Sequence, residues 1–503
     1  MLRKITALLT ACLYLLVSCT STKLVNPTEV RGGKDHIIAL ALTSGEIIEF
    51  DLHGGRLDKL RERVTGDSKD GKKIDVAFAD VVSATVQHTS GGTAVLVVVA
   101  LFFFIVIIAA TADSGSSSST SGSSCPYVYA FDGDQYTMDA EPLSGAITKG
   151  FERNDLCRLD HLSAVDGHYD LLVRNELKET QYIDQMQLRV VDHPSGASVC
   201  TDINGSLHVL ADRVAPAAAH DEAGVDLRAL LRASDHIPWQ STMPVDESWR
   251  DMSLRNELTF EFAKPRDASQ ANLVIDAATS QWGSIMMRQM IEARGNRLAD
   301  WYASVDERGL AMAELLRFNQ REELYFLKLY VQEGNEWVQQ GWIPGGGPAA
   351  SELRVIPLDL SRVSGDKVRV RVEPPRGFWS FDYIAMSYHE LPVPDATVLP
   401  VASAMTSDHR DMAALITATD EHYYEMKNVG ESAHITFAAP VGPARGSERS
   451  VFLETRGYYH TQIDETLPEQ TALIADVLAH DGAVVRYSLQ RYTEMVARSR
   501  TMP

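Results

Sequence analysis

The chain contains 503 residues, of which 45% are apolar and 23% are charged. This composition is typical of a folded protein, and the length predicts about two to four domains. The formal net charge is −21, and no dense cluster of Lys and Arg offsets it. The sequence therefore excludes nucleic acid as a partner, because binding to phosphate backbones requires a basic face.

The chain begins with the three parts of a secretory signal, which we assign to residues 1–18. Arg3 and Lys4 supply positive charge, and Ile5–Val17 is an apolar core too short to span a bilayer comfortably. The stretch "LVSC" at Leu16–Cys19 resembles the bacterial lipobox, in which small residues precede a lipidated cysteine. The resemblance implies a lipoprotein whose mature N-terminus is acylated Cys19. An uncleaved signal anchor is the alternative.

A small β module is predicted at residues 35–90, after a linker at residues 19–34. Ile37–Leu42 and Glu46–Asp51 alternate as short strands around a turn at Gly45. Several short strands in so few residues indicate a small SH3-like or Sm-like barrel. The segment lacks the basic and aromatic set of RNA-binding loops, so we expect a spacer or a self-association module.

A transmembrane helix is predicted at residues 93–112. Thr93–Ala112 carries no charge and is apolar on every side, and about 20 residues at ~1.5 Å each reach across a hydrocarbon core. A Ser/Gly linker follows at residues 113–124. Because no Lys or Arg follows the span until Lys149, charge distribution favours a location outside the cytoplasm for the C-terminal part.

Residues 125–215 are predicted to form a β domain that opens with a strand, a turn and a strand. Four acidic residues lie close together in this opening: Asp132, Asp134, Asp139 and Glu141. Such a group could bind calcium through carboxylate oxygens. However, an Asp-Gly pair is also a common hairpin turn, and no Glu occupies the last position of a calcium loop. The turn is the favoured interpretation, and no metal or cofactor is expected.

Three cysteines follow the predicted span, namely Cys125, Cys157 and Cys200. An odd number allows one disulfide at most. Cys125 and Cys157 flank a short β-rich segment and are the predicted pair. Three buried, reduced cysteines are the equally weighted alternative.

The rest of the chain is predicted to be mainly β with some helix. A β-sandwich domain is assigned to residues 216–395 with a helical insertion at 284–318, and a second β-sandwich-like or α+β region to residues 396–503. Two stretches, starting at Glu257 and His434, share the order strand, Pro-containing loop, strand and aromatic residue. Ser284–Asp306 is predicted to be helical, and Met286, Met290 and Trp301 fall near one face.

The segment Leu358–Met386 resembles the later strands of galactose-binding-like jelly rolls. It contains a strand, a turn at Gly365, a strongly alternating strand and an aromatic strand. The opening "CPYVYAFDG" is similar to uncharacterised bacterial envelope proteins. Neither resemblance implies catalytic residues.

The most site-like group in the sequence is Arg376, Phe378, Trp379 and Asp382. Aromatic rings can stack on sugars, and a carboxylate can accept hydroxyl hydrogen bonds, although aromatic residues in strands more often belong to a core. No nucleophile elbow, phosphate loop or zinc helix is present.

Two functional hypotheses follow from these observations. The first is a cell-envelope lipoprotein, anchored in the bilayer by lipid and helix, that binds a glycan or an envelope protein without catalysis. The second is a membrane-tethered, carbohydrate-active hydrolase. A hydrolase requires two converging carboxylates, at least one of them buried with a shifted pKa.

Overall fold

The computed structural model describes residues 20–25, 35–42, 47–51, 54–58, 63–69, 71–77, 80–89 and 126–501. The chain divides into two units, residues 1–117 and 118–503. The described residues are mainly β, which confirms the predicted fold class at this level. The predicted signal peptide, Cys19, the span at 93–112, the linker at 113–124 and Cys125 lie outside the described residues. Within the described ranges, no helix has the length and apolar character needed to cross a bilayer.

The described residues of the first unit form two small antiparallel sheets. Their strands are β1 (Thr20–Val25), β2 (Asp35–Leu42), β3 (Ile47–Glu49), β4 (Arg56–Asp58), β5 (Arg63–Asp67), β6 (Lys73–Ala77) and β7 (Val81–Thr89). The orders are β1-β7-β2-β3 and β4-β5-β6. Ile37, Leu40, Phe50 and Val64 are among the residues of its core. Strand β1 lies within residues 19–34, which were predicted to be a linker. Its partner β7 is distant in sequence, so their pairing left no local signal.

In the second unit, residues 126–501 form 21 strands in three sheets. They are β8 (Tyr127–Phe131), β9 (Tyr136–Ala140), β10 (Arg153–Leu159), β11 (His168–Arg174), β12 (Glu179–Pro194), β13 (Ser198–Thr201), β14 (Leu207–Leu210), β15 (Ala218–Asp221), β16 (Trp239–Gln240), β17 (Leu258–Ala263), β18 (Gln270–Thr279), β19 (Phe326–Glu333), β20 (Glu336–Pro344), β21 (Glu352–Asp359), β22 (Lys367–Val372), β23 (Trp379–Ser387), β24 (Glu390–Leu391), β25 (Thr397–Thr406), β26 (Tyr424–Met426), β27 (Ser432–Ala438) and β28 (Ser447–Thr461).

A nine-stranded sheet joins the beginning and the end of this unit. Its order is β10-β28-β12-β25-β27-β11-β8-β9, with β26 also paired to β12. Strand β28 pairs with β12 from Glu179↔Thr461 to Pro194↔Ser447. The sequence analysis separated 125–215 from 396–503, yet strands of both ranges form this one sheet. Pairing between strands so distant in sequence leaves no local signal from which the shared sheet could be predicted.

The intervening chain forms a seven-stranded sheet and a five-stranded sheet. Their orders are β16-β23-β18-β21-β13-β14-β24 and β15-β17-β22-β19-β20. Strands β17 and β18, which belong to the first of the two similar stretches, therefore lie in different sheets. Alternating apolar residues of β22, such as Val368 and Val370, are completely buried, as the period of a half-buried strand requires.

Within residues 126–501, the α-helices that accompany these sheets are α1 (Gln281–Glu292), α2 (Leu298–Asp306), α3 (Leu310–Glu322), α4 (Thr471–Ala479) and α5 (Ala483–Thr501). Helix α1 begins at Ser280, whose hydroxyl accepts a hydrogen bond from the Gly283 amide at 2.9 Å, as a serine N-cap does. The indole of Trp282 donates to the Ser488 hydroxyl at 2.9 Å. This bond connects α1 to α5 across a large separation in sequence.

Candidate functional site

The four residues of the sequence-predicted site are close in sequence but lie in the interior. Arg376 is buried, and its guanidinium donates to the Ser253 carbonyl oxygen at 2.8 Å and to Glu222 Oε1 at 2.9 Å. Phe378 and Trp379 have 0% exposure, and the Trp379 indole donates to the Glu323 carbonyl oxygen at 2.8 Å. These three side chains stabilise the domain interior and present no surface on which a sugar ring could stack.

Asp382 lies close to a second buried carboxylate, Asp276. Asp276 lies on the adjacent strand β18, and both aspartates are 3% exposed. The Ser234 hydroxyl donates to Asp276 Oδ2 at 2.5 Å, and the His236 amide donates to Asp382 Oδ2 at 2.8 Å. Burial, reinforced by the charge of Asp276, raises the pKa of Asp382. The pair lies beneath residues 234–237 and lines neither of the cavities described below.

The four acidic residues considered for calcium have separate roles. Asp132 Oδ1 accepts from the Asp134 and Gln135 amides at 2.8 Å, which is the favoured turn. Asp139 binds His161, and Glu141 accepts from the Ala349 amide at 2.9 Å. Among the described residues, no group of three or more side chains is placed to bind a metal ion.

Cys157 lies on β10 and is buried against an acidic partner. Its thiol donates to Glu352 Oε1 at 2.8 Å. Burial raises its pKa to about 12, so the thiolate is strongly disfavoured and Cys157 is no nucleophile. Its predicted partner, Cys125, lies outside the described residues, and the disulfide stays a prediction.

The candidate ligand site is an apolar cavity of about 140 Å³ beneath the helices. Three helices each contribute side chains at the three- and four-residue spacing that defines one helical face. Helix α1 contributes Ser284, Met287, Arg288 and Ile291, helix α3 contributes Leu315, Phe318 and Asn319, and helix α4 contributes Ile474, Val477 and Leu478. Strand residues Glu179, Tyr459 and Thr461 form the side opposite the helices, and Met290, Trp301 and Leu324 complete the apolar lining.

Two arginines are the cationic groups of this cavity. Arg288 donates through Nε to Glu292 at 3.1 Å and through Nη2 to the Gln462 carbonyl oxygen at 3.0 Å. Arg294 follows α1, and its guanidinium lies 4.7 Å from the centre of the Trp301 ring. The buried Glu179 is the cavity's carboxylate. The cavity therefore combines an apolar interior with a few charged groups, which is the usual composition of a small-molecule site.

A second cavity of about 120 Å³, the charged cavity, has six charged residues among the seventeen that line it. Arg153 pairs with Asp155 at 2.7 Å, and Arg354 pairs with Glu352. Burial alone would raise the pKa of Asp155, but the adjacent Arg153 outweighs it and lowers the pKa. Asp155 is thus held ionised, which is the opposite of what a general acid requires.

A glycine loop separates the two cavities. Gly346 lines both of them, and a Cβ added at Gly347 would overlap the carboxyl group of Glu141. The loop "GGGP" at Gly345–Pro348 therefore follows a path that side chains would block. The run of three glycines is the sequence signal for this close approach.

Sequence reasoning identified part of the apolar cavity and missed the rest. Met290 and Trp301, assigned to one helical face, both line it. Met286 is completely buried and belongs to the core. Glu179, Phe318 and Val477 carried no recognisable signal, because they meet only through the fold.

Comparisons with known proteins add no assignment. No family model and no curated protein matches the chain. The solved structures that match include a GH31 alpha-xylosidase from Xanthomonas citri, with 11% identity over 84% of this chain and a TM-score of 0.17; the chain spans 33% of that enzyme's length. Two others are the Sulfolobus Turreted Icosahedral Virus structure (9% identity, 68% of this chain and 100% of that chain, TM-score 0.14) and an archaeal virus protein described as a triple jelly roll (8%, 70% and 99%, TM-score 0.14). Likenesses with such low TM-scores carry no argument about fold or function.

Proposed function

We propose that this chain is a membrane-anchored protein of the cell envelope that binds a small apolar molecule in the cavity beneath its helices. The anchoring is supported by the lipobox-like signal ending at Cys19 and by the apolar stretch at 93–112. The binding role is carried by one observation, namely an apolar cavity of about 140 Å³. This proposal extends the first of the two functional hypotheses, and it changes the expected ligand from a glycan to an apolar group.

The size and the lining of the cavity define the ligand class. An engineered cavity of roughly 150 Å³ lined by Leu, Ile and Phe stays dry and binds benzene. A single aromatic ring or a short alkyl chain is therefore the expected size. Met287 and Met290 suit this role because an unbranched, polarizable side chain adapts to ligands of different shape.

The hydrolase hypothesis has less support from the same geometry. The acidic pair Asp276 and Asp382 is covered by residues 234–237 and opens onto neither cavity. In the charged cavity, the pKa of Asp155 is lowered by Arg153, although burial opposes this effect. Neither place combines a substrate-sized opening with a carboxyl group held protonated.

The test observes the cavity through its own methionines. The full chain, labelled with ¹³C in the methionine methyl groups, is reconstituted in lipid nanodiscs and titrated with toluene. We expect saturable shifts of the Met287 and Met290 resonances, assigned with Met→Leu variants. The Met386 resonance should not move, because Met386 is buried on β23 away from the cavity.

Two neighbouring leucines on α3 provide a matched pair of variants. Leu315 lines the cavity, whereas Leu316 is 51% exposed. Leu315→Trp should fill the cavity and abolish the shifts, and Leu316→Trp should leave them unchanged. Equal shifts in both variants, or no saturable shift in the parent protein, would refute binding in this cavity.

A further inference from the structure

We propose that the natural ligand carries a carboxylate and that Arg294 binds this group at the mouth of the cavity. The inference rests on the proposed function and deepens it, since it specifies the chemistry of the ligand's polar end.

The position of Arg294 is fixed by its neighbours. It follows the end of α1, and its guanidinium lies over the Trp301 ring at 4.7 Å. Both side chains line the cavity, and the Arg294 side chain is 18% exposed. The cation therefore lies between the apolar interior and the solvent, and its planar face is occupied by the indole. Its N–H edge remains the part that can bind a ligand.

The charge of Arg294 is only partly satisfied by the protein. Its carboxylate partner is Glu469, at an N···O distance of 3.8 Å, which is longer than a hydrogen bond. By contrast, Arg288 on the same side of the cavity makes two bonds of 3.1 and 3.0 Å. Burial lowers the pKa of Arg294 even though Glu469 and Glu314 oppose the effect. A cation that has lost water without gaining a close anion would be stabilised by one.

A carboxylate is the anion that this geometry fits best. A guanidinium binds a carboxylate through two parallel N–H···O bonds, which are among the stronger hydrogen bonds in proteins. An apolar group joined to a carboxylate would place its tail among Met287, Met290 and Phe318 and its charge at Arg294. The alternative ligand is an amine that binds to Glu179, which lines the same cavity. Glu179 is the weaker candidate, because it already interacts within the protein and is completely buried.

Three probes with the same ring but different charge distinguish these ligands. Benzoate, benzyl alcohol and benzylamine are titrated at pH 7 against the full chain in nanodiscs, and binding is followed by the Met287 and Met290 methyl shifts. We expect benzoate to bind about tenfold more tightly than benzyl alcohol, equivalent to about 1.4 kcal/mol, and benzylamine to bind more weakly than either. The benzoate preference should decrease as salt is added.

Variants assign the preference to one side chain. Arg294→Gln should abolish the preference for benzoate while leaving the benzyl alcohol affinity within about threefold, which also shows that the variant is folded. Arg297→Gln is the control, because this arginine lies on the surface and pairs with Asp300; it should retain the preference.

The outcomes separate the two proposals. Benzyl alcohol binding as tightly as benzoate, or benzylamine binding best, would overturn the carboxylate and leave the cavity's function intact. A benzoate preference that survives in Arg294→Gln would overturn the role of Arg294. Failure of all three probes to bind would overturn the proposed function and this inference together.

Discussion

Replacing Arg376 by methionine should destabilise the second unit by about 3 kcal/mol. Its guanidinium makes two short bonds, to the Ser253 carbonyl oxygen at 2.8 Å and to Glu222 at 2.9 Å. Bonds to charged groups contribute about 1.5–3 kcal/mol each. The methionine still fills the space of the arginine stem and removes a buried charge, which offsets part of the loss. At about 2.1 cal/mol/K per residue, a unit of roughly 375 residues should then melt about 4 °C lower.

The measurement is a thermal melt of the full chain in detergent, followed by tryptophan fluorescence. Arg228→Met is the control, because Arg228 is exposed and forms a surface pair with Asp226, and such pairs contribute little. The control should melt like the parent protein. If Arg376→Met also melts like the parent protein, Arg376 does not stabilise the domain. The ligand-binding role predicted for Arg376 from the sequence would then be supported again.

Two further properties follow from buried titratable groups. Because burial raises the pKa of Asp382, the folded state binds its proton more tightly, and stability is lost as the pH rises from the ordinary aspartate range through the raised pKa. Asp382→Asn should therefore raise the urea midpoint at pH 7 relative to the parent but not at pH 4. Asp212→Asn should lower the urea midpoint at pH 7 but not at pH 4. Burial would raise the pKa of Asp212, but hydrogen bonds from His389 and Ser387 outweigh this effect and lower the pKa. Equal pH profiles for the two variants would contradict this assignment. The Cys157 thiol, with its pKa raised to about 12, should react with iodoacetamide at pH 8 only after denaturation, as mass spectrometry can localise. Labelling of the native protein would contradict its burial, and a requirement for reductant would show that Cys157 forms a disulfide, whose partner the same mass spectrometry without reductant would identify.

Local patterns in the sequence were sufficient to place many strands. Alternation predicted strands at Ile37–Leu42 and Glu46–Asp51, and the structure has β2 and β3 there. The period of two is a property of the strand itself, so it survives any tertiary arrangement.

Boundaries that depend on distant contacts could not be predicted in this way. The predicted helix at Ser284–Asp306 is two helices, α1 and α2, with a break at Gly295. Gly295 has a φ of 47°, and a Cβ there would collide with the backbone of Leu467 and Pro468. The Asn296 amide also donates to the Leu467 carbonyl oxygen at 2.8 Å. The chain that breaks the helix is thus far away in sequence.

The candidate site illustrates the same limit. Its apolar lining comes from α1, α3 and α4, and each of these helices shows an apolar face that could equally belong to a core. Only the fold determines that the three faces leave a space between them. Phe378 and Trp379 show the converse, because their aromatic character suggested a surface platform and their environment made them core residues.

The pairing of β28 between β10 and β12 has a consequence for protein synthesis. Gln185 and Thr455 are hydrogen-bonded partners 270 positions apart. At roughly 5–20 residues per second, a ribosome needs about 15–55 s to make the chain between them. During that interval the early strands have emerged but lack their central neighbour, and their open edges can pair with other nascent chains. Faithful production of this protein therefore requires that those strands be shielded until Ser447–Thr461, near the end of the polypeptide, has been made.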